Sequence, residues 1–386
     1  MRIGIFTDCY LPTKNGVTTA IVQARQELER RGHAVSVFTV AGPGAGGHEP
    51  HTHRFLSLPF NRQIELRLGL PPQAAIDRLV VREQLDLIHT HTEFGLGWAG
   101  RRAAQRANLP LIHTLHTLYP AYRHYAPLGR LLPDRAISGY LAALLAPYDL
   151  AVCPSEKGRA YLASVVPALP TAVIGNGASA ERFDPDRITV ADGRGMAADL
   201  GLDPADQVIL YAGRLGEEKR VLALVEGLRP LLEANECCKV LLAGAGPAAT
   251  HLAAAARAWG LSRQVVLAGP LPWERMGEVY AISQVLATAS LSEIHPMTLI
   301  EALMAGLPIV ARRDASFVDL VRNGYNGFLA DSDAQIAAGV AAILQDAALR
   351  RDFAANARAL SAQFTVEAHV DRLERLYRQV MDHHRA

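Results

Sequence analysis

The sequence predicts an α/β protein made of two doubly wound, Rossmann-like domains in tandem. A chain of 386 residues exceeds one ordinary hydrophobic core and fits two domains of roughly 150 to 200 residues. Short β-branched runs alternate with longer amphipathic stretches, the βαβ signature of a parallel sheet. That alternation comes as two series separated by a stretch rich in Gly, Asp and Pro.

In the first series, RIGIFT, AVSVFTV, DLIHTHT, PLIHTLHT, DLAVC and TAVIG read as strands. Between the first two, TTAIVQARQELERRG reads as a helix with Gly32 as its C-cap. The second series holds QVILYAG, KVLLAG, QVVLAG, QVLATA and PIVAR. Residues 174 to 195, IGNGASAERFDPDRITVADGRG, lack apolar periodicity and mark the boundary, giving domains 1–175 and 176–365. EAHVDRLERLYRQVMDHHR predicts a last helix from about residue 366 that can pack back onto the first domain. Residues 41 to 53, AGPGAGGHEPHTH, read as a loop.

Half of the residues are hydrophobic, yet no apolar run approaches the ~18 residues of a spanning helix. The opening MRIGIFT reads as a strand rather than a secretory signal, so a cytoplasmic protein is expected. Cys9, Cys153, Cys237 and Cys238 show no metal-ligand spacing, in keeping with a reducing compartment. Net charge is +1, but residues 1–170 carry +6 and the remainder −5. Such a basic front half suits phosphates or an anionic lipid surface, and equally an ordinary solvated one. No aromatic-basic motif of a nucleic-acid binder is present.

Ligands of open α/β sheets bind at the carboxyl ends of the strands. There, TDCYLPTKNGVTTA (7–20) places Gly16 at a helix start whose amides can face a phosphate. AGRLGEEKR (212–220) offers Arg214 and Lys219 to a diphosphate, or pairs Lys219 with Glu217 or Glu218 in a solvated turn. SEIHPMTLIEALMAGLPIVAR (292–312) sets Glu293 before a helix with Pro296 in its first turn and Met297 and Thr298 at its amino end. Glu301 follows among apolar neighbours, where a carboxylate needs partners such as ribose hydroxyls; the alternative is a solvent-facing Glu. His89 and His91 share one face of a strand and His113 and His116 end the next, but no third ligand at a recognisable spacing argues for metal.

Glu293 and Glu301 form an E-x7-E spacing. With GRLGEEK, GAGP (244–247), IGNGAS and the early NGV loop, the chain resembles the retaining glycosyltransferases of family 4 over nearly its whole length. The HTHTEFGLGWAG and HTLHTLYPAYRHY segments further resemble the branch that glycosylates diacylglycerol in bacterial membranes. The resemblance implies the GT-B fold, two Rossmann-like domains facing a central cleft, and a hexose moved from a nucleotide-sugar to a lipid. UDP-glucose or UDP-galactose is the expected donor, no metal cofactor is expected, and the enzyme would act at the inner face of the cell membrane.

Carried onto this sequence, the resemblance puts Arg214 and Lys219 on the diphosphate, Glu301 on the ribose and Glu293 on the donor sugar. His295, Pro296, Met297 and Thr298 would surround the sugar and distal phosphate. His116 would reach a hydroxyl of the transferred hexose, and Gly16 would let the front loop close. Asp8, Tyr10, His91, Arg123, Arg130 and Arg135 are expected on the acceptor or membrane side, the arginines within residues 119–148, which can lie on a bilayer or pack on their own sheet. Two departures stand out. Asn15-Gly16 replaces a common pair of glycines, and IHPMT replaces a glycine and an aromatic, which leaves the donor sugar open. The alternatives are a GDP-mannose-dependent transferase, a soluble sugar acceptor, a nucleotide-sugar epimerase, and a non-catalytic nucleotide-sugar binder.

Overall fold

The computed structural model describes residues 1–44, 49–61, 65–125, 129–131 and 133–385, except for the side chain of Arg130. The chain divides into two compact units: Met1–Gly177 together with Val366–Ala386, and Ala178–Thr365.

The first unit is built on β1 (Arg2–Phe6), β2 (Ala34–Val40), β3 (Thr52–Phe55), β6 (Leu87–Thr90), β7 (Leu111–Thr114), β8 (Leu150–Cys153) and β9 (Thr171–Val173), beside a separate hairpin of β4 (Ser57–Asn61) and β5 (Leu66–Gly69). The seven strands form a parallel sheet in the order β3-β2-β1-β6-β7-β8-β9. Its inner strands are buried on both faces, apart from Arg2 at the start of β1, which is why they read as apolar runs rather than alternations. Sequence reading misses β3, β4 and β5, because THRF, SLPFN and LRLG are short and interrupted by charge or proline. Thr52 and His53, expected in a loop, pair with Val37 and Phe38 of β2. Residues 45–48 of that stretch lie outside the described residues.

The helix Val366–Arg385 packs on this first unit. Val366, Val370, Leu373, Tyr377 and Val380 recur at three- and four-residue steps, so they fall on one stripe. That stripe joins the core of Ile3, Ile5, Ile21, Leu28 and Val37. Tyr377 is 1% exposed and its hydroxyl bonds His89 Nδ1 at 2.7 Å. Truncating a large buried aromatic costs about 3–5 kcal/mol. Tyr377→Ala is therefore expected to lower the thermal midpoint of the first unit by roughly 10 °C in calorimetry. An unchanged midpoint would show that the helix is not part of this core.

The second unit contains β10 (Gln207–Ala212), β11 (Cys238–Ala243), β12 (Val265–Gly269), β13 (Val285–Thr288), β14 (Ile309–Arg312) and β15 (Gly327–Ala330). They form a parallel sheet in the order β12-β11-β10-β13-β14-β15, the dinucleotide-fold order that reverses direction beside its first strand. Its core gathers Ile209, Leu228, Val240, Val285 and Val340. The boundary stretch is more ordered than its composition suggests. Val190–Asp199 is a helix whose Thr189 and Asp192 form a reciprocal capping box, a local signal that outweighs the missing apolar period. Among the described residues no helix is long and apolar enough to cross a membrane. All four cysteines are free thiols.

Candidate active site

In the second unit the strand order turns between β10 and β13, so the crevice at their carboxyl ends is where a ligand is expected. Two glycines shape its floor. A Cβ on Gly244 would stand 1.9 Å from the Gly213 carbonyl oxygen, and one on Gly246 would stand 2.4 Å from that of Leu215. The GAGP segment thus lets the loops after β10 and β11 pack backbone on backbone.

The loop after β10 carries Arg214 and then the short turn Glu217–Lys219. Arg214 Nη2 donates to Glu218 Oε1 at 2.6 Å. Lys219 Nζ donates instead to Glu293 Oε1 at 2.7 Å. The lysine thus reaches across the strand reversal to the loop after β13. Two cationic side chains and the first carboxylate of E-x7-E therefore share one crevice.

Helix Met297–Met304 follows that loop. Pro296 is its N-cap, one place before the first turn the sequence predicts, and it supplies no side-chain cap. The leading amides of such a helix have no intrahelical acceptor and favour an anion. Met297 is buried and Thr298 half-buried. His295, in the loop before this helix, has a buried ring: Nε2 lies 3.0 Å from Asp319 Oδ2, and the ring packs on Phe364.

Glu301 is 5% exposed, which rules out the solvent-facing alternative. Tyr280 donates its hydroxyl to Glu301 Oε2 at 2.8 Å. Burial pushes the Glu301 carboxyl up to about 7, against the opposing effects of the Tyr280 bond and the charge of Arg182. The Arg182 guanidinium lies over the Trp273 ring, 3.3 Å from its centre. The two glutamates thus differ in kind: Glu293 is ion-paired near the surface, Glu301 is buried and sensitive to protons.

In the first unit, Asp8 and Tyr10 turn inward, contrary to the expected acceptor-side role. Asp8 is 3% exposed; Oδ1 accepts from Gly69 N at 2.7 Å, and Oδ2 from Thr92 Oγ1 at 2.8 Å and Leu96 N at 3.1 Å. It caps the helix Gly95–Ala107, whose own N-cap, Phe94, has no polar side chain. Burial nonetheless lifts the Asp8 carboxyl to about 6, the three hydrogen bonds pulling the other way. Tyr10 belongs to the core, and its hydroxyl accepts from Arg25 Nη1 at 2.9 Å.

Gly16 opens the helix Gly16–Arg30, and Asn15 explains the departure from two glycines: as N-cap it accepts from Thr18 N at 2.9 Å. His116 is half-buried just beyond β7, and His91 is buried with Nδ1 3.0 Å from His116 Nε2. Arg123 is exposed and paired with Asp134 at 3.1 Å, and Arg135 is exposed. The Arg130 side chain lies outside the described residues. The helix Asp134–Leu145 buries Leu141, Leu144 and Leu145, so that face packs on protein. Among the described residues no group of three His, Cys, Asp or Glu side chains is arranged to hold a metal.

The family model described as Glycosyltransferase Family 4 matches residues 14–182, and that for Glycosyl transferases group 1 matches residues 196–360. The chain is a glycosyltransferase, with the Family 4 domain in its first half. This glycosyltransferase is 29% identical to the alpha-monoglucosyldiacylglycerol synthase of Streptococcus pneumoniae over 85% of its own length and 75% of the relative's. It is 26% identical to the synthase of the same name from Acholeplasma laidlawii over 99% and 98% of the two chains. A GDP-mannose-dependent alpha-mannosyltransferase of Corynebacterium glutamicum is 24% identical over 86% and 77%. Sucrose-phosphate synthase from Thermosynechococcus elongatus has the same GT-B fold, with a TM-score of 0.81 at 23% identity over 98% and 99% of the two chains.

Three partners in this glycosyltransferase escape the sequence reading: Glu218 on Arg214, Tyr280 on Glu301 and His91 on His116. Glu218 sits four residues from Arg214, but the segment is a loop and a short turn rather than a helix, so that spacing carries no signal. Tyr280 is 21 residues from Glu301 and carries no local signal.

Proposed function

We propose that the chain is a retaining hexosyltransferase that moves glucose from UDP-glucose to diacylglycerol. The observation that carries this reading is the crevice of the second unit, where Lys219 meets Glu293 beside Arg214 and the amino end of Met297–Met304. In this reading the diphosphate lies against Arg214, Lys219 and the helix amides, the ribose hydroxyls reach Glu301, and Glu293 orients the sugar. The two alpha-monoglucosyldiacylglycerol synthases among the relatives support glucose and a diacylglycerol acceptor. An α-product from an α-linked donor is retention of configuration.

The bond from the anomeric carbon to phosphate breaks as the bond to the acceptor oxygen forms on the same face. The departing phosphate oxygen takes the acceptor proton. Charge gathers on the leaving diphosphate, which is where fixed cationic donors act most strongly. Arg214 and Lys219 supply that charge, so no metal is needed in this account. The acceptor side is assigned to the first unit, with the exposed Arg123 and Arg135 meeting anionic head groups at the inner face of the membrane.

A transfer screen tests the whole reading: UDP-glucose, UDP-galactose and GDP-mannose against diacylglycerol in anionic vesicles, with and without EDTA. Glucosyl-diacylglycerol formed from UDP-glucose at an unchanged rate in EDTA is expected. Mannose transfer would replace the donor assignment, transfer only to soluble sugars would replace the acceptor, and loss of activity in EDTA restored by a divalent ion would overturn metal independence. Binding without turnover on any acceptor would leave a nucleotide-sugar binder.

A further inference from the structure

The ends of β6 and β7 gather several histidines inside the first unit. His89 has both ring nitrogens taken, Nδ1 by the Tyr377 hydroxyl and Nε2 by Thr114 Oγ1, each at 2.7 Å. His91 lies tilted against His89, with ring centres 4.1 Å apart, and reaches toward His116. Its Nδ1 is 3.0 Å from His116 Nε2, the two rings are within 21° of coplanar, and their centres are 5.3 Å apart. That is the geometry of an in-plane bond from one ring nitrogen to the other. His91 Nε2 is enclosed without a hydrogen-bond partner among the described residues. His116 is half-buried, and its Nδ1 has no hydrogen-bond partner among the described residues.

Both rings are uncharged near neutral pH. Burial first, then His113 and His369, pushes His116 down to about 3, and burial likewise lowers His91. A neutral imidazole carries one N–H, and a single hydrogen must lie between the two rings. Only two arrangements satisfy this. In one, His91 donates from Nδ1, its enclosed Nε2 is a bare lone pair, and His116 carries its own hydrogen on Nδ1. In the other, His116 donates from Nε2, and His91 buries an N–H at Nε2 with nothing to accept it. An enclosed N–H without an acceptor is the costlier defect, because native interiors leave acceptors unsatisfied more readily than donors. The first arrangement prevails.

We propose that His91 is a positioning residue that holds the hydrogen of His116 on Nδ1, so that the half-buried His116 presents a hydrogen-bond donor to an oxygen of a bound substrate. The identity of that oxygen rests on the hexosyltransferase reading; the placement of the hydrogen does not. His91 thereby acts through His116 rather than on the acceptor directly.

The test uses the full chain labelled with nitrogen-15 at histidine, with long-range proton–nitrogen correlation and the His116 signals assigned by their loss in His116→Phe. Both His91 and His116 are expected to carry hydrogen on Nδ1. His91→Leu should release that preference in His116, whereas His91→Asn, whose amide nitrogen can stand near the lost Nδ1, should keep it. With UDP-glucose and diacylglycerol, His91→Leu is expected to lower kcat by ~10- to 100-fold with UDP affinity within about twofold, and His91→Asn to recover to within about threefold of the parent. A wild-type His116 with its hydrogen on Nε2, or a His91→Leu variant unchanged in spectrum and kcat, overturns the inference. If the wild-type chain transfers no sugar from any donor, the functional reading fails while the spectra still decide the placement of the hydrogen.

Discussion

Lys219→Met is expected to lower transfer turnover by ~10²- to 10³-fold while the second unit stays folded, and Arg214→Ala to do so by a similar factor. Methionine keeps the apolar stem of lysine and removes only the charge, which separates electrostatics from packing. Lys219 Nζ is held 2.7 Å from Glu293 Oε1. Its side chain is 13% exposed and that of Glu293 18%. The fold thus holds the two charges against each other, and a charge fixed in place stabilises a transition state without reorganising at the moment of reaction. A loss confined to kcat identifies an interaction made in the transition state, whereas a rise in KM alone indicates uniform binding. Steady-state kinetics with circular dichroism as the folding control decides it; near-normal turnover in both variants would count heavily against the diphosphate assignment.

Glu301 carries the second large effect. Its carboxyl is pushed up to about 7, first by burial, so near neutral pH a sizeable fraction of the unliganded chain is protonated there. Ribose hydroxyls donating to the carboxylate favour the ionised form, so UDP affinity should weaken roughly tenfold per pH unit below the Glu301 value and level off above it. Glu301→Ala is expected to weaken UDP by ~10- to 100-fold at pH 8, the usual cost of losing hydrogen bonds to a charged group. Glu301→Gln should flatten the pH dependence. Stability moves the other way. Because the folded value lies above the unfolded one of 4.5, the folded chain holds this proton more tightly. The resulting stability is full below that unfolded value and is lost as pH rises through about 7. Unliganded Glu301→Gln should therefore be more stable than the parent at pH 8. Calorimetric titration of UDP and thermal unfolding from pH 5.5 to 8.5 measure both, and flat profiles in the parent would contradict the burial of an ionisable Glu301.

Much of the fold is legible because parallel strands buried on both faces declare themselves as apolar runs. QVILYAG and KVLLAG could hardly be anything else. The elements that escape are those stabilised by neighbours rather than by their own pattern: β3 and β15 at sheet edges, and the hairpin of Pro59 and Arg67. At the candidate site, residue type and spacing bring Arg214, Lys219, Glu293 and Glu301 to notice, since each is a charge beside glycine or inside an apolar helix. What spacing cannot tell is direction. Asp8 and Tyr10 follow β1 where ligand contacts are expected, yet both face inward, Asp8 because three donors from distant segments converge on it. His295 turns inward for the same reason, met by Asp319 24 residues away. Such partners come from tertiary structure, and no local pattern announces them.

The central claim is that one crevice of the second unit, between the loops that follow β10 and β13, receives the diphosphate of a sugar nucleotide. A crystal structure of the chain with UDP tests it most directly. The account predicts the diphosphate within hydrogen-bond reach of Arg214, Lys219 and the amino end of Met297–Met304, with the ribose on Glu301. A nucleotide bound elsewhere, or a diphosphate in this crevice that neither cation touches, would contradict it.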